Sequence, residues 1–517
     1  MDQKEKFISS IQAGYTFKGD SILLGGAILN GECLSGINIK VPLKTLNRHG
    51  LIAGATGTGK TKTLQVITEG LSSNSIPVMM MDIKGDLSGL AKPGASNPKI
   101  EERHAKIGLP YTPSAFPVEL FTISQEKGVR LRATVSEFGP VLLSKILDLN
   151  DVQGGLMAVI FKYCDDKKMA LLDLKDLKST LQLLADQGKN EFETAYGKIS
   201  TTSMGTILRK VIELEQQGAH QFFGEKSFEV DDLLKIDQQG KGMISIFRLT
   251  DLQDKPKLFS TFMLCLLAEI YSVFPEEGDL DRPKLVIFID EAHLIFQEAS
   301  KALLEQIETI IKLIRSKGVG IFFCTQNPTD IPDSVLSQLG LKVQHALRAF
   351  TAKDRKQIKL ISENYPISEF YKTDELLTSL GIGEAAISVL NEKGSPTPLA
   401  ATLLCAPRSR MDILTSGEID ELVFKSILAK KYNEVIDRES AYEILKKKIA
   451  KVTQEEAVEE TERQETSQSK GKEKGLVGEI LGSTVTRQIG RTVAREVTRG
   501  LLGILGIGGT RRKKSLF

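Results

Sequence analysis

The sequence predicts an α/β protein built around a mainly parallel sheet, and three features support this prediction. Short apolar runs recur along the chain and end in polar residues, at 77–82, 243–248, 285–290 and 320–325. Segments with apolar residues at helical spacing separate these runs, which is typical of a parallel sheet covered by helices on both faces. A glycine-rich loop at 54–61 directly follows a further apolar run at 51–53. We therefore expect this sheet to organise a core that extends from residue 47 to 411.

The length and composition are those of an ordinary globular protein. The chain has 517 residues, of which 41% are hydrophobic and 26% charged, and this is enough to bury a large core. Because the formal net charge is only +2, contact with nucleic acid would require local basic patches rather than a uniformly basic surface.

The cysteines and the hydropathy of the sequence indicate the cellular compartment of the protein. The five cysteines are odd in number, lie far apart and form no C-x-x-C pair, which argues against a disulfide framework or a zinc site. Residues 1–14 lack the apolar core of a signal peptide, and no apolar run is long enough to span a bilayer. We therefore expect a cytoplasmic protein.

The remaining regions differ from this core in their patterns. Residues 1–46 are predicted to form a small β-rich N-terminal segment, because glycines separate short apolar pieces. An insertion within the core, 134–235, is predicted to be helical, since Leu171, Leu174, Leu177, Leu181 and Leu184 recur at helical spacing. Residues 412–452 are predicted to form charged helices, and 453–475, rich in Glu, Gln, Ser and Lys, a flexible linker.

The C-terminal tail, 476–517, has the pattern of a basic amphipathic helix. Arginines recur at every fourth position and apolar residues do the same, before a final basic cluster at 511–514: Arg487, Arg491, Arg495 and Arg499, with Val485, Ile489, Val493, Val497 and Leu501. Such a helix could dock on the body of the protein or on a neighbouring subunit, or contact nucleic acid or a membrane surface. The sequence leaves these alternatives open.

The glycine-rich loop predicts a phosphate-binding site. Glycines allow the backbone of Gly54-x-x-x-x-Gly59-Lys60-Thr61 to curl so that successive N–H groups point at phosphate oxygens. Lys60 adds a positive charge, Thr61 offers a hydroxyl to Mg²⁺, and the helix that follows favours an anion at its N-terminus. The predicted nucleotide-binding residues are Gly54, Ala55, Thr56, Gly57, Thr58, Gly59, Lys60, Thr61 and Thr63. The alternative is a glycine-rich turn without a ligand.

An apolar run that ends in two acids, 285–291, predicts the metal and the base of the same site. The carboxyl end of a buried parallel strand opens onto the ligand crevice, where Asp290 would hold Mg²⁺ through its water shell together with Thr61. Glu291 would orient and deprotonate the attacking water. The alternative is that the two acids cap the next helix, since acids suit a first helical turn.

Two further polar residues end apolar runs and are therefore expected at the same crevice. Asp82 closes the run PVMMMD, and Gln326 follows GIFFCT. A glutamine amide both donates and accepts hydrogen bonds, which suits a group that senses the γ-phosphate. The alternative for Asp82 is a turn or cap residue.

Taken in order, these motifs resemble the HerA/FtsK class of P-loop ATPases, and most closely the bacterial HerA-like proteins of the YjgR type. The resemblance rests on the glycine-rich loop, DIKGDL at 82–87, IDEAH at 289–293 and IRSKGVGIFFCTQNPTDIP at 314–332, and it covers about residues 10 to 410. It implies a RecA-like core that assembles as a hexameric ring, binds ATP between subunits and moves double-stranded DNA through its pore.

The family roles carry over to matching positions of this chain. They fall on Lys60, Thr61, Asp82, Asp290, Glu291 and Gln326 and, as an arginine finger, on Arg315. Arg315 lies at the polar edge of the helix predicted over 300–317, where it could instead complement the helix dipole. Archaeal members recruit a nuclease through an N-terminal β-barrel, but 46 residues leave no room for one, so the expectation of a nuclease partner does not carry over.

Two other functions are compatible with the motifs. A P-loop ATPase could move or remodel protein substrates, as related secretion ATPases do. A small-molecule kinase has less support, because the tandem acids and the arginine-bearing helix suit hydrolysis at a subunit interface.

Overall fold

The structure is a computed structural model, and it describes residues 2–445 apart from 187, 279, 297–300, 435 and 437–439. Its contacts divide the chain into two compact units. The first comprises Met1–Arg132, Gln217–Phe222 and Lys226–Val435. The second comprises Ala133–Gln216, Phe223–Glu225 and the chain from Ile436 onward. The predicted linker at 453–475 and the basic tail at 476–517 lie outside the described residues.

The first unit is organised around one 12-stranded sheet. Its strands are β1 (Ser21–Leu29), β2 (Glu32–Pro42), β3 (Gly50–Ala53), β4 (Val78–Asp82), β5 (Val118–Thr122), β6 (Val129–Arg130), β7 (Ile244–Arg248), β8 (Leu285–Ile289), β9 (Val319–Thr325), β10 (Leu341–His345), β11 (Glu384–Ser388) and β12 (Ala400–Leu404). Their order across the sheet is β2-β1-β12-β11-β10-β3-β9-β8-β4-β7-β5-β6. All neighbours from β10 to β6 are parallel, which confirms the predicted mainly parallel sheet.

Most pairs of consecutive parallel strands have at least one helix between them. The helices are α1 (Gln3–Tyr15), α2 (Lys60–Ser73), α3 (Pro98–Ile107), α4 (Val135–Ile146), α5 (Asp151–Asp166), α6 (Leu174–Ala185), α7 (Lys189–Tyr196), α8 (Thr201–Gln216), α9 (Pro256–Val273), α10 (His293–Phe296), α11 (Lys301–Ile314), α12 (Asp333–Leu336), α13 (Ala352–Ser362), α14 (Thr373–Ser379), α15 (Ser416–Lys425) and α16 (Ile427–Tyr432). Within the described ranges, no helix combines the length and apolarity that crossing a membrane demands.

The central strands consist of continuous apolar sequence, which places them in the middle of the sheet. Every residue of β3, β4, β8 and β9 is buried, as expected for strands covered on both faces. At roughly 25 cal/mol per Å² of buried apolar surface, these strands are a main source of the unit's stability. The rigid sheet fixes the polar groups that follow each strand.

The first 46 residues join this sheet rather than standing apart from it. They begin with α1; β1 then pairs antiparallel with β12 on one side and with the edge strand β2 on the other. Gly25 makes this close approach possible, because a Cβ at that position would lie 2.0 Å from the carbonyl oxygen of Leu403.

The second unit is helical in its described part, from α4 to α8. Capping boxes at Thr134, Asn150 and Asp173 begin α4, α5 and α6, so the local sequence specifies three of its helix starts. The five leucines with helical spacing, from Leu171 to Leu184, are all buried. This unit corresponds to the greater part of the segment predicted at 134–235.

Candidate nucleotide-binding site

The candidate site lies where four parallel strands end. β3, β9, β8 and β4 are neighbours in this order, and their carboxyl ends lead into the glycine-rich loop and the turns that contain Gln326, Asp290 and Asp82. Parallel strands end at the same edge of a sheet, and the crevice outside that edge is the usual ligand site of α/β folds.

The loop between β3 and α2 has the backbone of a phosphate cradle. Gly54, Gly57 and Gly59 have φ angles of 151°, 76° and 115°, which side-chain-bearing residues rarely adopt. A Cβ at Gly54 would also lie 2.5 Å from Cβ of His345. All three glycines are therefore needed for conformation and Gly54 for space as well, and the loop fits the binding of a nucleoside triphosphate.

Lys60 is held inside this loop. Its Nζ donates hydrogen bonds to the carbonyl oxygens of Gly54 and Ala55, at 2.7 and 3.2 Å. Burial lowers the pKa of the Lys60 ammonium, and the nearby charge of Lys84 lowers it further. The charges of Glu291 and Asp290 act in the opposite direction, and a phosphate bound in the loop would stabilise the cation further.

Strands on both sides of β3 fix the loop. The N–H of Gly54 donates to the carbonyl of Thr325 at 3.3 Å, and that of Gly383 donates to the carbonyl of Thr58 at 3.0 Å. The buried Thr63 hydroxyl lies 2.9 Å from Nε2 of His345. The same hydroxyl donates to the carbonyl of Gly59 in the loop at 3.3 Å. Thr61 is half-buried at the start of α2.

Asp82 is buried at the end of β4, and the turn that follows surrounds its carboxylate. The N–H groups of Gly85, Asp86 and Leu87 donate to it at 2.7, 3.1 and 3.2 Å. Burial raises the pKa of Asp82 to about 7, and the neighbouring charge of Asp86 acts in the same direction. The structure thus places Asp82 beside the site in the turn-forming role that we considered as its alternative.

Asp290 follows β8 and is buried, with a carboxylate oxygen left unsatisfied. Its Oδ2 has no hydrogen-bond partner in the described part of the chain. Burial raises the pKa of Asp290 to about 6, although the positive charge of Lys84 opposes this shift. An unpaired buried carboxylate oxygen fits a position in the water shell of Mg²⁺.

Glu291 has a strained backbone and two basic side chains beside its carboxylate. Its φ angle of 47° is unusual for a residue other than glycine and is the kind of conformation found at functional sites. Its Oε1 forms an ion pair with Nζ of Lys84, and its Oε2 lies 3.1 Å from Nδ1 of His293. The Glu291 carboxylate therefore has a fixed position beside Asp290.

Lys84, His293 and His345 contribute to the site, although the sequence did not single them out. Burial would lower the pKa of Lys84, but Asp290 and Glu291 outweigh it and raise that pKa. Lys84 follows a strand-ending aspartate by two positions, and His345 itself ends β10. A search for every polar residue at or just after an apolar run would have found both.

Gln326 is exposed beyond the end of β9 and lies beside the glycine-rich loop. The Thr56 hydroxyl donates to Oε1 of Gln326 at 3.5 Å. The preceding Thr325 donates to Oδ2 of Asp330 at 2.7 Å, which fixes the start of the turn. The structure therefore brings Gln326 together with the loop.

Arg315 is not part of this cluster within one chain. It is exposed and lies between α11 and β9, at the amino edge of the sheet. It is near His49, whose pKa is lowered to about 4, mainly by burial and in smaller part by the charge of Arg315. The length of β9, about 20 Å at 3.3 Å per residue, separates Arg315 from the edge that carries the candidate site.

The chain matches the family model described as "Helicase HerA-like C-terminal" over residues 29–513. It is 23% identical over 375 residues to the DNA double-strand break repair helicase HerA of Sulfolobus acidocaldarius, covering 71% of this chain and 68% of that relative. It is 25% identical over 392 residues to the DNA import protein CedB of the same organism, covering 75% of this chain and 57% of CedB.

The fold also matches a solved structure. The plasmid coupling protein TrwB, in complex with a non-hydrolysable ATP analogue, superposes with a TM-score of 0.50 at 14% identity, covering 78% of this chain and 99% of that chain. At 14% identity, this structural similarity is evidence for the fold alone, and it confirms the predicted RecA-like P-loop architecture.

Proposed function

The chain belongs to the HerA-like family of P-loop ATP hydrolases, and on that premise we propose that it forms a cytoplasmic hexameric ring that uses ATP and Mg²⁺ to move along double-stranded DNA. One observation supports the nucleotide chemistry more than any other. The glycine-rich loop, Asp290, Glu291 and Gln326 meet at one edge of the sheet, although up to 272 positions of sequence separate them.

The proposed roles follow from the geometry of this edge. The backbone N–H groups of the loop and the Lys60 ammonium bind the triphosphate. Thr61 and Asp290 would hold Mg²⁺, which neutralises charge on the β- and γ-phosphates when bound. Gln326, next to Thr56, would contact the γ-phosphate or the attacking water.

Glu291 is proposed as the general base. Its carboxylate takes a proton from water while the water oxygen forms a bond to the γ-phosphorus. The bond between that phosphorus and the β,γ-bridging oxygen breaks, which leaves ADP and inorganic phosphate. The ion pair with Lys84 fixes the position of this carboxylate beside Asp290.

Oligomerisation would complete the site. Arg315 is exposed and about 20 Å from the phosphate-binding loop of its own chain. A ring in which the amino edge of one subunit contacts the site of the next would place Arg315 near the γ-phosphate of that neighbour. The exposure of Arg315, far from the loop of its own chain, supports the arginine-finger proposal. In that proposal, activity requires the oligomer.

The choice of DNA as substrate rests on the relatives. HerA is named a DNA repair helicase and CedB a DNA import protein. The predicted alternative, movement of protein substrates, gains no such support from these two relatives.

The decisive test combines ATP hydrolysis with particle counting. We expect duplex DNA to stimulate hydrolysis at least severalfold, and electron micrographs of the same sample to show rings of six subunits. Heparin at equal charge concentration controls for a general response to polyanions. Hydrolysis that DNA does not change would leave the ATPase intact and overturn the DNA assignment.

A further inference from the structure

The sheet separates two sides of the phosphate-binding loop. β9, β8 and β4 lie on one side of β3, and the first two lead to Gln326 and Asp290, which are proposed to act around the γ-phosphate. β10, β11 and β12 lie on the other side. A nucleotide bound with its γ-phosphate toward Asp290 must therefore direct its base away from β9 and β8.

One segment on the base side contacts the loop itself. Gly383 lies just before β11, at the same edge of the sheet, and its N–H donates to the carbonyl of Thr58 at 3.0 Å. Arg103 holds this turn, because its guanidinium donates to the carbonyls of Ile382 at 3.1 Å and Gly383 at 3.0 Å. The Ile382 side chain is nevertheless 71% exposed.

A second segment contacts the start of α2. The chain leaves β12 at this edge and crosses α2 as a strap, which we define as residues 405–414. Lys62, the residue after the predicted Mg²⁺ ligand, donates from Nζ to the carbonyl of Met411 at 2.5 Å. Met411 is 36% exposed.

The strap is firmly attached to α2. The buried Glu69 carboxylate accepts hydrogen bonds from the N–H groups of Arg408 at 2.8 Å and Ser409 at 2.9 Å. Gln65 donates to the carbonyl of Arg410 at 3.4 Å. Three residues along one helix therefore fix the backbone that carries Met411.

From these contacts we infer that Ile382 and Met411 form the subsite for the nucleoside base of the bound triphosphate. Each is an apolar side chain left exposed on a backbone that is hydrogen-bonded to the phosphate-binding loop or to the first turn of α2. Burying such side chains against a planar aromatic base removes apolar surface from water. The inference rests on the proposed binding of a nucleoside triphosphate and adds the part of the site that binds the nucleoside.

The chemistry of this subsite sets an expectation for specificity. Apolar contacts stabilise any base but discriminate weakly between bases of similar shape. We therefore expect ATP and GTP to bind with affinities within about tenfold of each other, since the contacts that define the subsite are not hydrogen bonds to base edges.

The test compares Mg·ATP with Mg·tripolyphosphate, which has the phosphates but no nucleoside. Calorimetry on the full chain should show that Ile382→Ser and Met411→Ser each weaken ATP binding by about three- to tenfold, while tripolyphosphate affinity changes less than about twofold. Met411→Leu should retain ATP affinity, because it keeps the apolar surface. Ile367→Ser removes an isoleucine that is 100% exposed elsewhere and is the matched control.

The outcomes separate this inference from the proposed function. Wild-type protein that binds neither ligand would refute the nucleotide site itself, and the subsite with it. ATP affinity that survives both serine substitutions would overturn the subsite and leave the phosphate site standing. A parallel loss of both ligands would also overturn it, because the substitutions would then act on the phosphate-binding loop. Thermal melts of each variant establish that the fold is retained.

Discussion

Single residues determine whether the site binds or hydrolyses its ligand, and Lys60 and Glu291 should separate these two steps. Lys60→Ala removes the only lysine inside the loop, so nucleotide affinity should fall by at least tenfold. Glu291→Gln keeps the shape of the side chain but cannot accept the proton, so turnover should fall by about a hundredfold or more with affinity retained. Calorimetry and a phosphate-release assay measure the two effects. Equal loss of ATP affinity in both variants would refute the role given to Glu291.

Asp290 should make stability depend on pH in a magnesium-free buffer. Its pKa is about 6 in the folded protein against an unfolded value of 3.8, so the folded state binds more protons between these values. The stability that this group contributes is therefore present below the unfolded value and lost as pH rises through about 6. Asp290→Asn removes this dependence, and at about pH 8 the variant should be the more stable protein.

Urea unfolding of wild type and Asp290→Asn, at about pH 5 and about pH 8 with a chelator, measures this difference. Mg·ATP should reverse the order, because only the wild type offers the carboxylate to the metal. A variant that is less stable than wild type at the higher pH without magnesium would contradict the account of Asp290 as a carboxylate whose charged form is destabilised by burial.

The sequence was sufficient to predict the polar residues at strand ends, but not the residues that they contact. Asp82, Asp290 and Gln326 were found because each ends a conspicuous apolar run. The Lys84–Glu291 ion pair joins turns about 200 positions apart, and no local pattern contains that pairing. Arg315 and the loop are both visible in the sequence, whereas the sheet edge that separates them depends on the strand order.

At the scale of elements, the attachment of the strap to α2 offers a test of stability. Glu69 is buried and accepts three hydrogen bonds from Arg408 and Ser409. Glu69→Ala leaves these donors without a partner and should cost about 3 kcal/mol of unfolding free energy. Glu421→Ala, on the exposed surface of α15, is the matched control and should leave the free energy of unfolding nearly unchanged.

Denaturant unfolding measures both variants, and a Glu69 variant as stable as the control would show that the strap is held by other contacts. Glu69→Gln should recover part of the loss, since an amide oxygen still accepts one or two of the bonds. The amide carries no charge, so its hydrogen bonds are weaker than those of the carboxylate.

The elements themselves were largely predictable where packing and local pattern agree. The runs at 77–82, 243–248, 285–290 and 320–325 correspond to β4, β7, β8 and β9 with ends shifted by one residue or less at most positions. The helix expected over 300–317 includes α11, after which Arg315–Lys317 form a tighter 3₁₀ turn that ends at Gly318. The antiparallel pairing of β1 with β12 was missed, because pairing between strands about 375 positions apart has no local signal.

At the scale of the whole molecule, one chain does not contain a complete active site if Arg315 is the finger. Arg315→Ala should leave folding, assembly and ATP binding nearly unchanged, because the residue is exposed and far from its own loop. Turnover should nevertheless fall by about three to five orders of magnitude, by analogy with arginine fingers supplied in trans. The alternative role, complementing the dipole at the end of α11, is worth only about 1 kcal/mol and would leave turnover intact.

A mixing experiment distinguishes a trans role from a structural one. Neither Arg315→Ala nor Glu291→Gln rings should turn over alone. Mixed rings contain interfaces that join an intact Glu291 from one variant to an intact Arg315 from the other, so part of the activity should return. Lys317→Ala, two residues away in the same 3₁₀ turn, is the matched control. It should retain turnover, because Lys317 forms its ion pair with Glu276 of its own chain. If subunits exchange and no activity returns, or if Arg315→Ala alone hydrolyses ATP normally, Arg315 does not act on a neighbour's nucleotide.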